Sequence, residues 1–219
     1  MLSKRIAHFT LILLLVSVAT AWGSGQDWRG DIYAGTDPGY GFVFGAKPGW
    51  HDGYDGQSPV DIHSIPGVHL LYYRTWGGSP AFYYKDFESP IPPSGSKTWS
   101  DIYMWAQDYT PNLGNRVGIT YTPDPPAPAG YWARLVLDYV PESLNWTGPM
   151  EFVVGLDTNH DFNVPFLPVP ITDNPYDPTQ VTRMHLTVYA PVPEPSSLLA
   201  LSIGGLGVLG SALRRRRFI

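Results

Sequence analysis

The chain contains no cysteine among its 219 residues. This absence excludes a disulfide framework, a thiol nucleophile, a zinc site with cysteine ligands and a lipid-modified N-terminal cysteine. Basic residues are also scarce, and six of the 14 lysines and arginines lie at the two chain ends. The part between the ends therefore has a formal charge of about −10, which repels a phosphate backbone, and we expect no nucleic-acid partner.

The sequence between the two chain ends has few long segments without proline or glycine, since the chain contains 23 of each. Proline removes an amide donor and clashes with the preceding helical turn, so this spacing disfavours helices of ordinary length. Short runs rich in Val, Ile, Thr and aromatic residues lie between the turn signals, which predicts an all-β chain folded as an antiparallel β-sandwich of about eight or nine strands. The candidate strands are residues 40–44, 68–74, 81–87, 98–107, 116–122, 131–140, 150–157 and 181–189.

Two of these candidate strands alternate clearly between apolar and polar residues. Met184, Leu186 and Val188 share one face of the last strand, and Ala133 and Leu135 share one face of residues 131–140. This period of two predicts one buried and one solvated face. The opposite face of residues 131–140 carries Trp132, Arg134, Val136 and Asp138. We expect this strand to lie centrally in a sheet.

The N-terminus has the three parts of a secretory signal peptide. Lys4 and Arg5 precede an apolar run at residues 6–18, and small residues at 19–21 end the segment. This order predicts export and cleavage after Ala21, so residues 1–21 are removed and residues 22–191 form the β-sandwich domain. An uncleaved anchor or a buried helix is the alternative, although the run is shorter than the ~20 residues of a spanning helix.

The C-terminus predicts a transmembrane helix. Residues 196–213 carry no charge, and 18 residues at ~1.5 Å each give about 27 Å, close to the ~30 Å hydrocarbon thickness of a bilayer. Four basic residues follow this run: Arg214, Arg215, Arg216 and Arg217. Positive charge stays preferentially on the cytoplasmic side, which places the acidic domain outside and the C-terminus inside. A buried core helix is the alternative, but its end would carry four arginines.

A stiff tetrapeptide precedes the apolar run: Val192, Pro193, Glu194 and Pro195. The two prolines restrict the backbone to an extended form, which keeps Glu194 at the membrane edge, accessible to a processing enzyme. Together with the apolar helix, the arginine cluster and the signal peptide, residues 192–217 resemble the PEP-CTERM sorting signal of exopolysaccharide-producing bacteria. The segment 192–219 is therefore interpreted as a sorting segment.

The resemblance implies that an exosortase recognises the Pro-Glu-Pro motif, cleaves the chain nearby and transfers it to the cell surface or extracellular matrix. The implied partners are this exosortase, the Sec machinery, signal peptidase, the inner membrane, where the chain stops transiently, and the exopolysaccharide of a biofilm. On this interpretation the chain is a substrate and not an enzyme. The alternative is a tail-anchored periplasmic protein in which the tripeptide occurs by accident.

One segment of the middle region resembles the opening of a calcium loop. Asp157, Asn159 and Asp161 place oxygen ligands at alternate positions, but Phe162 stands where an EF-hand requires glycine and Pro168 where it requires glutamate. An Asx-rich turn after a strand explains the pattern better. We therefore predict no metal and no cofactor, and calcium is the single ion for which the sequence offers candidate ligands.

No catalytic constellation is evident in the sequence. The histidines do not follow a zinc-ligand spacing, and no G-x-S-x-G or phosphate-binding glycine loop occurs. Asp61 and His63 would share a strand face, and the carboxylate pairs Asp52/Asp55 and Asp173/Asp177 lie in turns. A glycan hydrolase is therefore the least favoured function.

Aromatic residues are abundant, with 8 Trp, 14 Tyr and 9 Phe. Consecutive aromatics, as at residues 71–73, 82–84 and 103–105, place rings on both faces of a strand, so some rings could be exposed. Exposed rings on a flat sheet can stack on sugar faces. A carbohydrate-binding module is therefore the alternative to a structural or adhesive β-sandwich, while core packing explains most of the rings.

Overall fold

The computed structural model describes residues 27–34, 39–49, 58–63, 65–111, 114–156 and 167–192. These residues form twelve strands and two single 3₁₀ turns, Trp76–Gly78 and Glu142–Leu144. The strands are β1 Trp28–Ala34, β2 Phe42–Ala46, β3 Gly67–Arg74, β4 Ala81–Tyr83, β5 Lys85–Glu88, β6 Ser96–Gln107, β7 Arg116–Val117, β8 Ile119–Pro123, β9 Trp132–Tyr139, β10 Glu151–Gly155, β11 Leu167–Pro168 and β12 Thr182–Tyr189. The prediction of an all-β chain is confirmed for this part.

The strands form two main sheets within the compact unit Gln26–Pro191. One sheet has the order β5-β2-β1-β8, the other has the order β10-β9-β12-β6-β3-β4, and β11 and β7 form a small separate ladder. Strand pairing is antiparallel, as predicted, except between β2 and β5. The last strand, β12, lies between β9 and β6 in the middle of the larger sheet.

One core fills the space between the inner faces of the two main sheets. Trp28 of β1, Phe44 of β2 and Trp99 of β6 are fully buried and contact one another edge to face, with ring centroids 5.5 to 6.4 Å apart. Aromatic side chains bury the largest apolar areas of any residues and prefer this edge-to-face geometry. The large rings therefore provide, through packing, the stability that a chain without cysteine cannot take from disulfides.

Three buried aromatic side chains also link strands of different sheets by hydrogen bonds. The Trp99 indole donates to the Asp86 carbonyl at 2.9 Å, and the Tyr72 hydroxyl donates to the Val43 carbonyl at 3.3 Å. The Tyr121 hydroxyl of β8 donates to the carbonyl of Leu156 after β10 at 3.0 Å. Each bond satisfies a buried polar group of the ring and a backbone carbonyl, and so fixes how the two sheets are aligned.

The alternation predicted for β9 and β12 is confirmed for the inner faces: Met184, Leu186 and Val188 are fully buried, as are Ala133 and Leu135. The prediction is wrong at two positions, because Thr187 on the outer face of β12 is also buried and Tyr139 at the end of β9 is only half-buried. β9 lies between β10 and β12 and is a central strand, as expected from its pattern.

A second hydrophobic cluster covers part of the outer face of the larger sheet. Its buried members are Ile62, Leu71, Phe82, Tyr103, Trp105 and Val181. β3 and β6 are therefore buried on both faces where they pair, which explains their nearly continuous apolar sequences. The prediction that aromatics occupy both faces is correct, but most of these rings are covered rather than exposed.

The number of strands exceeds the predicted eight or nine for identifiable reasons. The candidate at 81–87 is interrupted at Tyr84, and its halves β4 and β5 join different sheets. The candidate at 116–122 is interrupted at Gly118 and gives β7 and β8. β1 was not predicted, because Gly30 and Asp31 are typical turn residues, yet a side chain at Gly30 would collide with the rings of Tyr121 and Phe44.

Segments between the candidate strands also contribute to the fold. Leu167 and Val169 are fully buried and β11 pairs with β7, so residues 167–169 contribute to the core. Backbone hydrogen bonds between Arg29 and residues 124–125 extend the β8 ladder into the proline-rich segment 122–130. Residues 61–63 form a turn closed by the Asp61 carboxylate and not a strand, because the His63 amide donates to that carboxylate at 3.1 Å.

In the part of the chain that the structure describes, no helix has both the length and the hydropathy required to cross a membrane. The predicted transmembrane helix, residues 196–213, and the predicted signal peptide, residues 1–21, lie outside that part.

The ion pair of Arg74 provides a test of how the sheets are joined. Arg74 of β3 contacts Asp86 of β5 at 3.3 Å, and the Asp86 side chain is only 3% exposed. Arg74→Ala leaves that carboxylate buried without its guanidinium, and we expect it to lower the free energy of unfolding by about 3 kcal/mol. Denaturant unfolding of the purified protein measures the change.

Asp101 offers a matched control, because it contacts the same guanidinium at 3.1 Å but is 63% exposed. Asp101→Asn should cost less than about 1 kcal/mol, as is typical of exposed ion pairs, and asparagine tolerates the positive φ of 51° at this position. Equal losses of unfolding free energy in the two variants would contradict this prediction, because the buried partner Asp86 would then contribute no more to stability than the exposed partner Asp101.

Candidate functional site

The sorting segment begins just after the last strand of the larger sheet. β12 ends at Tyr189, and the Ala190 amide donates to the Gly95 carbonyl at 3.0 Å. Val192, the first residue of the predicted motif, is 74% exposed. Pro193, Glu194 and Pro195 and the arginines at 214–217 lie outside the described residues. Three residues thus separate the end of β12 from Pro193.

The candidate calcium ligands Asp157, Asn159 and Asp161 also lie outside the described residues. Within the described ranges, no group of three or more His, Asp or Glu side chains is arranged to hold a metal ion. The proposed ligand set therefore stays a prediction from the sequence.

The described histidines each have a different environment. His69 is fully buried between the rings of Trp105 and Tyr40, with ring centroids at 4.9 and 5.6 Å. Burial lowers the pKa of His69 to about 4. His63 lies 3.1 Å from the Gln107 amide nitrogen, and His185 lies 2.8 Å from the Asp138 carboxylate. These contacts stabilise the fold locally and do not form an acid–base pair around a substrate cleft.

The carboxylate pair at Asp173 and Asp177 does not have the arrangement of a glycosidase. Asp177 accepts hydrogen bonds from Thr179 and Gln180, and the bonds from Thr179 hold the pKa of Asp177 below its ordinary value. Such a carboxylate closes its own turn rather than serving as a proton donor. The other pair, Asp52 and Asp55, lies outside the described residues.

A shallow cavity of about 370 Å³ lies beside the β7–β11 ladder. Its polar lining includes Asn115, Ser143, Thr172 and Gln180, and the Thr172 hydroxyl donates to Gln180 at 2.7 Å. No charged side chain of the described residues lines it. The described lining therefore consists of amide, hydroxyl and apolar groups.

Most of the consecutive aromatic side chains that could be exposed according to the sequence are buried in the structure. Tyr72, Phe82, Tyr83, Tyr103 and Trp105 are all buried.

The outer face of the larger sheet nevertheless presents a stacked pair of aromatic rings outside the second hydrophobic cluster. Trp132 of β9 and Tyr189 of β12 lie opposite each other, with ring centroids 4.0 Å apart and planes inclined by 10°. We call them the stacked pair.

Polar residues surround the stacked pair on the same face of the sheet. Arg134 contacts Glu151 across β9 and β10 at 2.6 Å, and both side chains are more than 40% exposed. Hydrogen bonds to Glu151 and then to Tyr189 raise the pKa of Arg134, and Arg134 in turn lowers the pKa of Glu151. The hydroxyls of Thr98 and Thr187 lie 2.9 Å apart on the next two strands. The arrangement can bind a neutral or weakly polar ligand but contains no nucleophile.

The sequence predicted only part of this surface. It placed Trp132 and Arg134 together on one face of β9, as the structure confirms. It did not indicate that Tyr189 would stack on Trp132, because the register between β9 and β12 is fixed by contacts of residues far apart in the chain.

A comparison with known protein families matches residues 191–217 to the PEP-CTERM protein-sorting motif. The match confirms the resemblance predicted from residues 192–217, and it includes the Pro-Glu-Pro tripeptide and the four arginines. The role of each of these residues stays a prediction. No curated protein and no solved structure matches the chain.

The buried histidine predicts a specific pH dependence of stability. Between pH 6.5 and pH 4 the unfolded chain binds a proton at His69 that the folded chain does not, so stability falls as the pH falls. The loss attributable to His69 should reach about 3 kcal/mol near pH 4. Denaturant unfolding as a function of pH, compared between the protein and His69→Phe, measures it.

His185→Gln provides the control, because it replaces a partly exposed histidine and leaves His69 in place, so the difference between the protein and His69→Phe should be found again when both carry this substitution. Parallel curves for the protein and His69→Phe would contradict the assignment.

Proposed function

We propose that this chain, which carries a PEP-CTERM sorting motif at residues 191–217, is an exported protein that an exosortase delivers to the cell surface or extracellular matrix. Its β-sandwich serves a structural or adhesive role there, in contact with the exopolysaccharide of a biofilm. The chain is the substrate of the processing enzyme and catalyses no reaction itself.

The position of the motif relative to the fold carries this proposal. The central strand β12 ends at Tyr189, and the matched segment starts at residue 191. Cleavage in the motif would therefore leave every described strand of both sheets in the product. A structural or adhesive protein requires such an intact domain after its anchor is removed.

The route that we propose begins with the Sec machinery and with signal peptidase, which cleaves after Ala21. Residues 196–213 then hold the chain transiently in the inner membrane, with Arg214, Arg215, Arg216 and Arg217 inside. The acidic domain lies on the outer side, where the exosortase reads Val192, Pro193, Glu194 and Pro195.

Replacing Pro193, Glu194 and Pro195 by alanine in the producing bacterium tests the sorting proposal. The extended backbone and the carboxylate that the enzyme reads are both lost, so we expect the full-length chain to accumulate in the membrane. Immunoblots of membrane, surface and medium fractions measure this redistribution.

Replacing the exposed prolines Pro149 and Pro178 by alanine is the matched control, because they precede the first residues of β10 and β12, whereas the motif follows the last residue of β12. This variant should be processed normally. Unchanged processing and release of the triple-alanine variant would overturn the proposal.

A carbohydrate-binding module is the second candidate, and the observation that favours it is the stacked pair, in which Trp132 is 37% exposed and Tyr189 is half-buried. A glycan hydrolase stays the least favoured candidate, because the Asp177 carboxylate is bonded within its own turn and the pair Asp52/Asp55 lies outside the described residues.

A further inference from the structure

The stacked pair lies in a row that crosses four strands of the larger sheet. Gly155 of β10 is opposite Trp132 of β9, Trp132 is opposite Tyr189 of β12, and Tyr189 is opposite Ser96 of β6. Gly155, Trp132 and Tyr189 belong to the outer face, since their neighbours Val154, Ala133 and Val188 are buried in the core, and Ser96 shares that face because it is the register partner of Tyr189. β10 is the edge strand of the sheet, so the Gly155 end of the row lies at the border of this surface.

The two residues that flank the pair have little or no side chain. Because Trp132 and Tyr189 stack on each other, each ring covers one face of its partner and turns its second face away from it. The second face of Trp132 is directed towards Gly155, which has no side chain, and that of Tyr189 is directed towards Ser96, which has a small hydroxymethyl group. The row therefore flanks each of the two rings, on the side away from its partner, with a residue that has little or no side chain.

The adjacent row of the same sheet face supplies polar groups. It consists of Val153, Arg134, Thr187 and Thr98 on the same four strands. Arg134 is charged across the physiological range, because its hydrogen bonds raise an already high pKa. Guanidinium and hydroxyl groups next to an aromatic face are the groups that orient polar ligands carrying an apolar surface.

A sugar fits this combination better than a protein partner does. A stable protein interface buries about 800 Å² on each side around an apolar centre. Here the apolar groups are the two rings and the exposed Val153 of β10, and the ion pair of Arg134 with Glu151 and the Thr98/Thr187 hydroxyls border the rings on one side. A pyranose ring with equatorial hydroxyls has apolar faces of the size of one aromatic ring and a polar rim around them.

We infer that the outer faces of Trp132 and Tyr189 form a binding site for polysaccharides of equatorially substituted hexopyranoses. The apolar face of one sugar stacks on the indole above Gly155, where Arg134 donates hydrogen bonds to the hydroxyls at its rim. A second sugar of the same chain stacks on Tyr189 above Ser96, where Thr98 donates to its hydroxyls. The inference rests on the carbohydrate-binding candidate proposed above and assigns it to specific residues.

Affinity electrophoresis tests the site with the exported chain, purified in detergent from a host that lacks the processing enzyme. Native gels contain hydroxyethyl cellulose, xyloglucan or a mixed-linkage β-glucan, whose backbones all consist of equatorially substituted glucopyranoses, and the retardation at increasing polysaccharide concentration gives the dissociation constant. We expect retardation by at least one of the three, and we expect Trp132→Ala and Tyr189→Ala to weaken binding about 10-fold or more, as is typical of aromatic contact residues.

Two further variants separate ligand binding from structural effects. Tyr33→Ala removes a ring on β1 of the other sheet, and Tyr33 is 38% exposed compared with 37% for Trp132. This variant should bind as the unmodified protein does. Gly155→Val keeps both rings and places a side chain suited to a strand over the indole, so it should weaken binding without loss of an aromatic group.

The possible failures are distinguishable. If the unmodified protein is retarded but Trp132→Ala, Tyr189→Ala and Gly155→Val are retarded equally, glycan binding stands and the assigned site is wrong. If none of the polysaccharides retards the protein, the carbohydrate-binding candidate fails together with this site, while sorting, measured by processing at Pro-Glu-Pro, is unaffected. If light scattering shows a dimer that Trp132→Ala dissociates, the pair is a contact between two copies of the chain and the inference is overturned.

Discussion

β12 pairs with β9 on one side and with β6 on the other, so the larger sheet is continuous only when the last strand of the domain is in place. Its inward residues Met184, Leu186 and Val188 are fully buried in the core. The strand that connects directly to the sorting segment is therefore also the strand on which the fold depends. Since the sheet cannot close without residues 182–189, folding is complete only after the chain up to the motif has been exported.

The core shows how an exported chain without cysteine can be held together. Trp99, Tyr72 and Tyr121 each combine buried apolar area with a hydrogen bond to the backbone across the domain. The ion pair of Arg74 with Asp86 adds a further link between β3 and β5. A second cluster around Trp105 and Phe82 covers part of the outer face of the larger sheet. Trp132 and Tyr189 lie on the same face outside this cluster, and the sequence alone could not distinguish them from the covered aromatics.

Local patterns in the sequence predicted the features that depend on neighbouring residues. The alternation in β9 and β12 is set by the two-residue period of a strand, and the sorting motif is a continuous segment. β1 was missed because Gly30 and Asp31 favour turns, whereas Gly30 is required by the two rings packed over it. The cover over Leu71 and Trp105 comes from Ile62 and Val181, whose proximity no local pattern encodes. For the same reason the stacking of Tyr189 on Trp132 depends on a long-range register.

Peptide mapping by mass spectrometry of the protein recovered from the surface of the producing bacterium tests the account most directly. The account predicts a product that begins at residue 22, contains all of β12 up to Tyr189 and lacks the segment 196–217. A surface product that retains the arginines at 214–217, or one that ends before Tyr189, would contradict it.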